Sequence, residues 1–226
     1  MNKLAAYRIE NAPATLREIT LERMRKAIIG GVFSPAERLV ERTLCGELGV
    51  SRSVIREVIR HLEAEGLVTS LPNRGPIVAS LSWDDARQIY DIRAALESAA
   101  VFDCAARADD TAKKHLGLLL DDLDKSASEQ IPTAVIDATT AFYSFIFESA
   151  GHNVAWEIVT RLNSRISRLR AMTLSSTNRM VNGPALIREI YTAIERNDPE
   201  EAATACKQHV ASAARIAEQL LTGEKM

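Results

Sequence analysis

The segment 48–67, which reads LGVSRSVIREVIRHLEAEGL, constrains what this chain can fold into more than any other part of it. Ser51 is a preferred N-cap residue, so a helix is predicted to begin directly after it. The apolar residues that follow recur at helical spacing and predict a buried face: Ile55, Val58, Ile59 and Leu62. Arg52 and Arg56 lie four residues apart and share the exposed side. Since a guanidinium group can bind guanine O6 and N7 or a phosphate, the segment predicts a helix that enters the major groove of DNA.

Composition is compatible with this prediction without requiring it. A length of 226 residues suffices for one or two domains, and 46% apolar with 26% charged residues is ordinary for a soluble globular protein. The net charge of −2 excludes a polycation, but the charge is unevenly divided. Residues 1–80 hold twelve Lys/Arg against nine Asp/Glu, whereas the remainder holds sixteen against twenty-one. This division is typical of a DNA-binding domain joined to a second domain of another kind.

Signals for secretion or membrane insertion are missing from the sequence. The first twenty residues lack a continuous apolar core, and no run approaches the ~18 apolar residues that span a bilayer. Cys45, Cys104 and Cys206 have no metal-type spacing, and each lies in a helical pattern where a reduced cysteine acts as a small apolar residue. We therefore expect a cytoplasmic protein that does not bind membranes.

The elements around segment 48–67 predict a winged helix-turn-helix. Two helices are expected before it, over about 16–29 and 40–48, and Gly30-Gly31 ends the first. The inward residues of the first helix are predicted to be Ile19, Met24, Ala27 and Ile28. After the third helix, extended segments at 67–71 and 77–80 flank a turn at 72–76 that contains Arg74. Arg74 is thus predicted on the wing.

From Trp83 onward the pattern is helical throughout. Six helices are predicted, over about 83–106, 111–127, 133–149, 153–171, 184–196 and 199–221. Turn residues separate them, among them Asn182-Gly183-Pro184. The first helix of this part is expected to bury Ile89, Ile92, Leu96 and Ala100. The predicted fold is mainly α: a winged helix-turn-helix domain over 1–81, followed by an all-α helical bundle over 82–226.

The N-terminal motifs resemble those of the GntR family of bacterial transcription regulators. The matching stretches are Gly31–Pro35, Leu39–Leu44, Gly49–Arg52, Arg56–Glu57, Leu62–Val68 and Arg74–Gly75. Departures are Ala36, where glycine is usual, and Ser53-Val54-Ile55, where Thr-Pro-Val is usual. Arg52 and Arg56 are expected to recognise the base sequence of double-stranded DNA, and Arg42 and Arg74 to contact phosphate or the minor groove. Ser51 and Ser53 cap the helix, which is compatible with their also contacting phosphate. The full set of expected DNA-binding residues is Arg42, Ser51, Arg52, Ser53, Arg56, Arg74 and Gly75.

The helical part resembles the FCD effector-binding domain of the FadR-type subfamily. Arg93–Glu97 matches its R-x-x-L-E signature, Ala138–Asn153 resembles its D-x-x-F-H…S-G-N segment, and Ala193–Asp198 its A-I-x-x-G-D segment. With the N-terminal motifs, the resemblance covers nearly all of the chain from Thr15. It implies a homodimer that reads a near-palindromic operator, and a small organic acid as effector that alters the affinity for DNA.

Many members of this subfamily bind a divalent metal through one aspartate and three histidines. The positions that match those ligands in this chain are Thr139, Tyr143, Ile187 and His209, so only the last ligand is kept. Asp137 carries a carboxylate but lies two residues out of register, on another helix face. A hydroxyl, a phenol and one imidazole are a poor donor set for Zn²⁺ or a similar ion. We therefore predict that the chain uses no metal and no cofactor.

The effector site implied by the resemblance contains Arg93 as a clamp for a carboxylate or phosphate. Thr139 and Tyr143 would bind the effector directly, and His209 would line the same pocket. Of the four arginines in helix 153–171, Arg165 is predicted to face inward and neutralise a second acidic group. An ordinary intrahelical pair between Arg93 and Glu97 remains the alternative for those two residues.

Three functions compete at this point. The first is a ligand-responsive transcription regulator, a repressor as most such proteins are. The second is a regulator that needs no effector and uses its bundle only to dimerise. The third is an enzyme with a DNA-binding appendage, which the sequence does not favour because no Ser/His/Asp, Cys/His or His/carboxylate cluster is visible in it.

Overall fold

A computed structural model describes residues 15–174 and 177–223 of the chain and divides it into two units, Met1–Ser80 and Leu81–Met226. The first unit holds three helices, α1 (Leu16–Ile29), α2 (Glu41–Leu48) and α3 (Arg52–Ala64). An antiparallel hairpin follows, with β1 (Val68–Leu71) and β2 (Gly75–Val78) in a register that pairs Val68 with Val78. A bridge from Arg38 to Ile77 adds a short third edge. This arrangement confirms the predicted winged helix-turn-helix.

Local capping explains where α1 and α3 begin. The Thr15 hydroxyl accepts the backbone N–H of Glu18 at 3.2 Å, and the Glu18 carboxylate accepts that of Thr15 at 2.7 Å. The Ser51 hydroxyl accepts the Val54 N–H at 3.4 Å, which confirms Ser51 as the N-cap of α3. Between α2 and α3, Gly49 takes φ +66°, a conformation that glycine adopts without steric cost.

The core of the first unit forms where α1 and the hairpin pack against the apolar face of α3. Its largest fully buried side chains are Met24, Ile28, Leu39, Ile55 and Leu62. The prediction that Ile19 faces inward is wrong, because that side chain is 42% exposed. The inward positions of α1 follow the i, i+4 row through Met24 and Ile28, and Thr20 begins that row. Thr20 satisfies its buried hydroxyl by donating to the Leu16 carbonyl at 2.6 Å.

The wing turn is tighter than the sequence predicts. Asn73 takes φ +64° and Gly75 φ +75°, and the Arg74 N–H donates to the Leu71 carbonyl at 3.1 Å. Asparagine tolerates the left-handed region better than other non-glycine residues. The second strand therefore starts at Gly75 and not at Ile77.

In the described residues the second unit contains seven helices where six were predicted. They are α4 (Trp83–Arg107), α5 (Asp110–Ser128), α6 (Pro132–Ala150), α7 (Asn153–Arg165), α8 (Ser167–Leu174), α9 (Thr177–Glu195) and α10 (Pro199–Thr222). α4 packs along α10 and α6, and α5 packs against α6 and α9. Phe142, Ile146 and Phe147 of α6 lie at the centre of the core. The all-helical bundle is confirmed.

Two helix boundaries differ from the prediction. The stretch 153–171 breaks at Ile166, whose φ of −102° and ψ of 10° are not helical, and whose side chain is fully buried. Conversely, the break expected at Asn182-Gly183-Pro184 is wrong, since Pro184 lies inside α9. A proline in a helix interior costs about 3 kcal/mol of local stability. Gly183 and Pro184 are both buried, and this tertiary packing offsets the local cost.

The inward face of α4 also differs from the prediction. Ile92 is 44% exposed, so its assignment to the buried face is wrong. The buried row of α4 runs instead through Ile89, Arg93, Glu97 and Ala100. A pattern of apolar residues does not reveal this row because two of its members are charged. No helix among the described residues combines the length and apolar character needed to cross a bilayer.

Candidate functional site

The exposed face of α3 carries the residues predicted to read DNA. Ile55, Val58, Ile59 and Leu62 are buried against the rest of the first unit. Arg52, Ser53 and Arg56 are exposed on the other side. The Ser51 and Ser53 hydroxyls lie 2.8 Å apart at the start of the helix. Two guanidinium groups and two hydroxyl groups thus lie together on one solvent-exposed surface, as contact with DNA requires.

Arg56 is paired with Glu41, the first residue of α2. Its Nε lies 3.0 Å from both carboxylate oxygens. The hydrogen bond to Glu41 raises the pKa of Arg56, so the guanidinium stays charged throughout the accessible pH range. The sequence offered one signal for Glu41, since it lies in the stretch 39–44 that matches the family motif.

The remaining predicted DNA-binding residues are distributed around α3. Arg42 is exposed on α2, Arg74 is exposed at the tip of the wing, and Gly75 has positive φ beside it. Arg74 and Arg38 line an open cleft of about 650 Å³ next to the hairpin. The sequence does not predict that Arg38 lies beside the wing, because the bridge that holds it against Ile77 is a tertiary contact.

In the second unit, Arg93 and Glu97 form a buried ion pair on α4. Their side chains are 5% and 1% exposed, and Nε of Arg93 donates to the Glu97 carboxylate at 2.7 Å. Burial acts to lower the pKa of Arg93, but the Glu97 carboxylate together with Tyr90 and Tyr143 outweighs the effect of burial, so the pKa is raised. Arg93 and Glu97 therefore form the intrahelical pair that the i,i+4 spacing allowed, and the pair is buried in the interior of the bundle.

Tyr143 and His209 form a second buried pair beside the first. The Tyr143 hydroxyl lies 2.9 Å from Nδ1 of His209 and 3.7 Å from Sγ of Cys206. Burial is the main reason that the pKa of Tyr143 is raised well above its ordinary value. The phenol therefore stays protonated at neutral pH. The Tyr143 and His209 rings stack with an interplanar angle of 13°.

These pairs adjoin a small cavity of about 40 Å³. Its polar lining comes from four helices, namely Arg93 of α4, Thr139 of α6, Arg170 and Thr173 of α8, and His209 of α10. Three of the predicted effector residues, Arg93, Thr139 and His209, line it directly. Tyr143 contributes through its hydrogen bond to His209. Ligand pockets in proteins usually measure about 300–1,000 Å³, so the cavity is very small for a ligand site.

Arg165 is the predicted effector residue that lies elsewhere. The residue is exposed at the end of α7, so its identification as the inward-facing arginine is wrong. The break at Ile166 changes the helical register, and Arg170 lines the cavity instead. The four arginines of segment 153–171 predicted that one of them would face inward. The position of the helix break at Ile166 determines which arginine does so.

The residues at the former metal positions do not fit a metal ion. Ile187, which also lines the cavity, has no donor atom, and Tyr143 keeps its proton. Asp137 is exposed and does not line the cavity. Within the described part of the chain, no three His, Cys, Asp or Glu residues cluster in a way that could hold a metal. The surviving donors are one imidazole and one hydroxyl, fewer than a stable site needs.

Comparisons with known proteins match both units. Residues 16–78 match the model of bacterial regulatory proteins of the gntR family, and residues 88–212 match the FCD domain. The uncharacterized HTH-type transcriptional regulator YdhC of Bacillus subtilis is 29% identical over 188 residues, which cover 83% of this chain and 82% of that protein. The HTH-type transcriptional repressor GlaR of Escherichia coli is 28% identical over 210 residues, which cover 88% and 94%. The solved structure of E. coli McbR/YncC has the same fold, with a TM-score of 0.75 over 92% of this chain and 99% of its own, at 18% identity.

Proposed function

Since this chain belongs to the GntR family of bacterial regulatory proteins and carries an FCD domain, we propose that it is a homodimeric repressor whose operator affinity changes when a small organic acid binds in the helical bundle. Family membership makes the chain a DNA-binding transcription regulator and not an enzyme. The repressor sense is supported by the relative GlaR, which is named a transcriptional repressor.

Sequence readout is proposed for Arg52 and Arg56. Both are exposed on α3, whose opposite face is buried, so the helix can lie in the major groove with both side chains toward the bases. Arg42 on α2 and Arg74 with Gly75 on the wing would contact phosphate or the minor groove on either side of that helix. Ser51 and Ser53 would donate hydroxyl hydrogen bonds to phosphate at the start of α3.

A homodimer is supported by an apolar stripe on the exposed side of α4. Its members recur at spacings of three and four residues: Ile92, Ala95, Ala99, Phe102 and Ala106. The neighbouring α7 adds two exposed apolar side chains, Val154 and Ile158, and the two helices contact each other. An exposed apolar stripe can pack against the same stripe of a second copy that is related by a two-fold axis. A dimer with two-fold symmetry matches a near-palindromic operator.

Replacing Phe102 by aspartate is expected to convert the dimer into a monomer, because the substitution buries a charge in the self-complementary stripe. Light scattering coupled to size-exclusion chromatography measures the change. Leu118→Asp is the matched control, since Leu118 of α5 is 64% exposed and lies off the stripe. A Phe102→Asp protein that elutes as a dimer, like the control, would place the interface elsewhere.

Effector binding is supported by one observation above the others, namely that Arg93 and His209, far apart in sequence, line the same cavity. Arg170 and Thr139 complete a lining that suits a carboxylate, with guanidinium, imidazole and hydroxyl donors against an apolar remainder. The small volume of about 40 Å³ favours the competing proposal that the bundle only dimerises. An effector of the usual ligand size would require the cavity to widen on binding.

Thermal unfolding of the full chain with a panel of small carboxylates, sugar acids and acyl-CoAs separates the two proposals. We expect at least one carboxylate to raise the midpoint, by mass action on the folded state. Thr139→Val, which removes one hydroxyl from the cavity lining, should reduce that rise. A panel without any stabilising compound would favour the dimerisation-only regulator. EDTA should leave the midpoint unchanged, and a lowered midpoint would contradict the metal-free site.

A further inference from the structure

The pair between Glu41 and Arg56 is a contact between two helices of the DNA-binding unit. We propose that Glu41 is a positioning residue that orients Arg56 for base recognition and thereby sets the sequence discrimination of the protein. The proposal rests on the assignment of Arg56 to base contact made above. Glu41 itself would touch no DNA.

The geometry of the pair is the first argument. The carboxylate of Glu41 accepts from Nε of Arg56 with both oxygens, each at 3.0 Å. The hydrogen bonds of this pair use only Nε, so the N–H groups of the two terminal nitrogens remain for another partner. Those two nitrogens form the donor pair that can bind guanine O6 and N7 together. A carboxylate on Nε therefore restrains the orientation of the guanidinium without occupying the end that reads a base.

A comparison with the other cations of the same surface is the second argument. Arg52 and Arg60 also lie exposed on α3. Among residues 15–174 and 177–223, no carboxylate pairs with either of them within the salt-bridge distance, whereas Arg56 has one from a different helix. Long flexible side chains lose rotamer freedom when they bind, and an arginine already held in one orientation loses less. Glu41 gives this advantage to Arg56 alone.

The alternative is that the Glu41–Arg56 pair only stabilises the fold, and its exposure to solvent argues against this alternative. The Arg56 side chain is 59% exposed and that of Glu41 is 32% exposed. Ion pairs that water reaches contribute little to folding stability. A carboxylate close to the DNA surface also repels phosphate, which weakens binding to every sequence. Glu41 also stabilises the N-terminus of α2, so discrimination between sequences, rather than stability, is the readout that tests its role at Arg56.

The test compares Glu41→Gln with the natural protein on two DNA duplexes of equal length, one selected by the full-length protein from a random pool and one with the same bases scrambled. Fluorescence anisotropy at one salt concentration gives both affinities. We expect the ratio of specific to nonspecific affinity to fall about tenfold, within the range for one bidentate base contact. Nonspecific affinity should stay equal or rise, since a negative charge has been removed. The unfolding midpoint should fall only slightly, since the one stabilising interaction lost besides the exposed pair is that of the charge with the N-terminus of α2.

Three further variants make the result decisive. Glu47→Gln removes the same charge from an exposed position of the same helix, and its affinity ratio should equal that of the natural protein. In an Arg56→Ala background, Glu41→Gln should have no further effect on the ratio. If Arg56→Ala lowers the ratio but Glu41→Gln does not, the positioning role of Glu41 is overturned. If Arg56→Ala leaves the ratio unchanged, the proposed base contact of Arg56 fails, and this inference fails with it.

Discussion

Replacing Glu97 by alanine is expected to lower the free energy of unfolding of the helical unit by about 3–5 kcal/mol, the usual cost of breaking a buried ion pair from one side. The variant leaves Arg93 in the interior, where it is 4% exposed, without the carboxylate that compensates its charge. Urea unfolding followed by far-UV circular dichroism measures the loss.

The same helix supplies the control for this experiment. Asp91 and Arg87 form an i,i+4 pair at 3.2 Å on α4, but their side chains are 67% and 51% exposed. Asp91→Ala should therefore change the free energy of unfolding by less than about 1 kcal/mol. Replacing Arg93 and Glu97 together by methionine and leucine should recover most of the loss, because no unpaired charge is then left buried. A Glu97→Ala protein as stable as Asp91→Ala would refute the role given to burial.

Removing both Arg52 and Arg56 is expected to weaken binding to selected DNA by about 2–6 kcal/mol, as the sum of two base contacts worth about 1–3 kcal/mol each. The two side chains are exposed, so the fold should persist. Binding to scrambled DNA should fall much less. Fluorescence anisotropy on both duplexes, repeated over a range of salt concentrations, measures the two effects.

Arg60→Ala is the matched control, because Arg60 is an exposed arginine further along α3 and is assigned to no contact. Its removal should leave the preference for selected DNA unchanged. The assignment of Arg52 and Arg56 would be contradicted if their loss weakened both duplexes equally. In that case the slope of log affinity against log salt concentration would decrease in magnitude by about one for each arginine removed, which is the signature of phosphate contact.

The DNA-binding unit could be predicted from the sequence because its signals are local. Ser51 and the four apolar residues of α3 lie within one helical segment, and they determine which side of α3 is buried. The hairpin also follows from neighbouring residues, although its exact turn depends on Asn73. Ile19 is the exception in this unit, because the face that α1 buries depends on how the helix lies against α3.

The helical unit was predicted in outline but not at its interior. Arg93, Thr139 and His209 were named from the resemblance, and the structure brings them to one cavity. Glu97 as a buried partner, Arg170 in place of Arg165, and the uninterrupted α9 through Pro184 were not foreseen. Each depends on packing between helices far apart in the chain, which local periodicity does not report.

The sequence by itself determined the class of the protein: a capped recognition helix, a wing and an all-helical second unit, each encoded by residues close together. Only the tertiary structure decided which charged side chains face inward. Arg93 is tolerated in the interior because the Glu97 carboxylate lies at 2.7 Å, and Arg170 rather than Arg165 lines the cavity because the helix breaks at Ile166. The i,i+4 spacing of Arg93 and Glu97 is visible in the sequence, but their burial depends on helices far apart in the chain, so it cannot be read from local sequence.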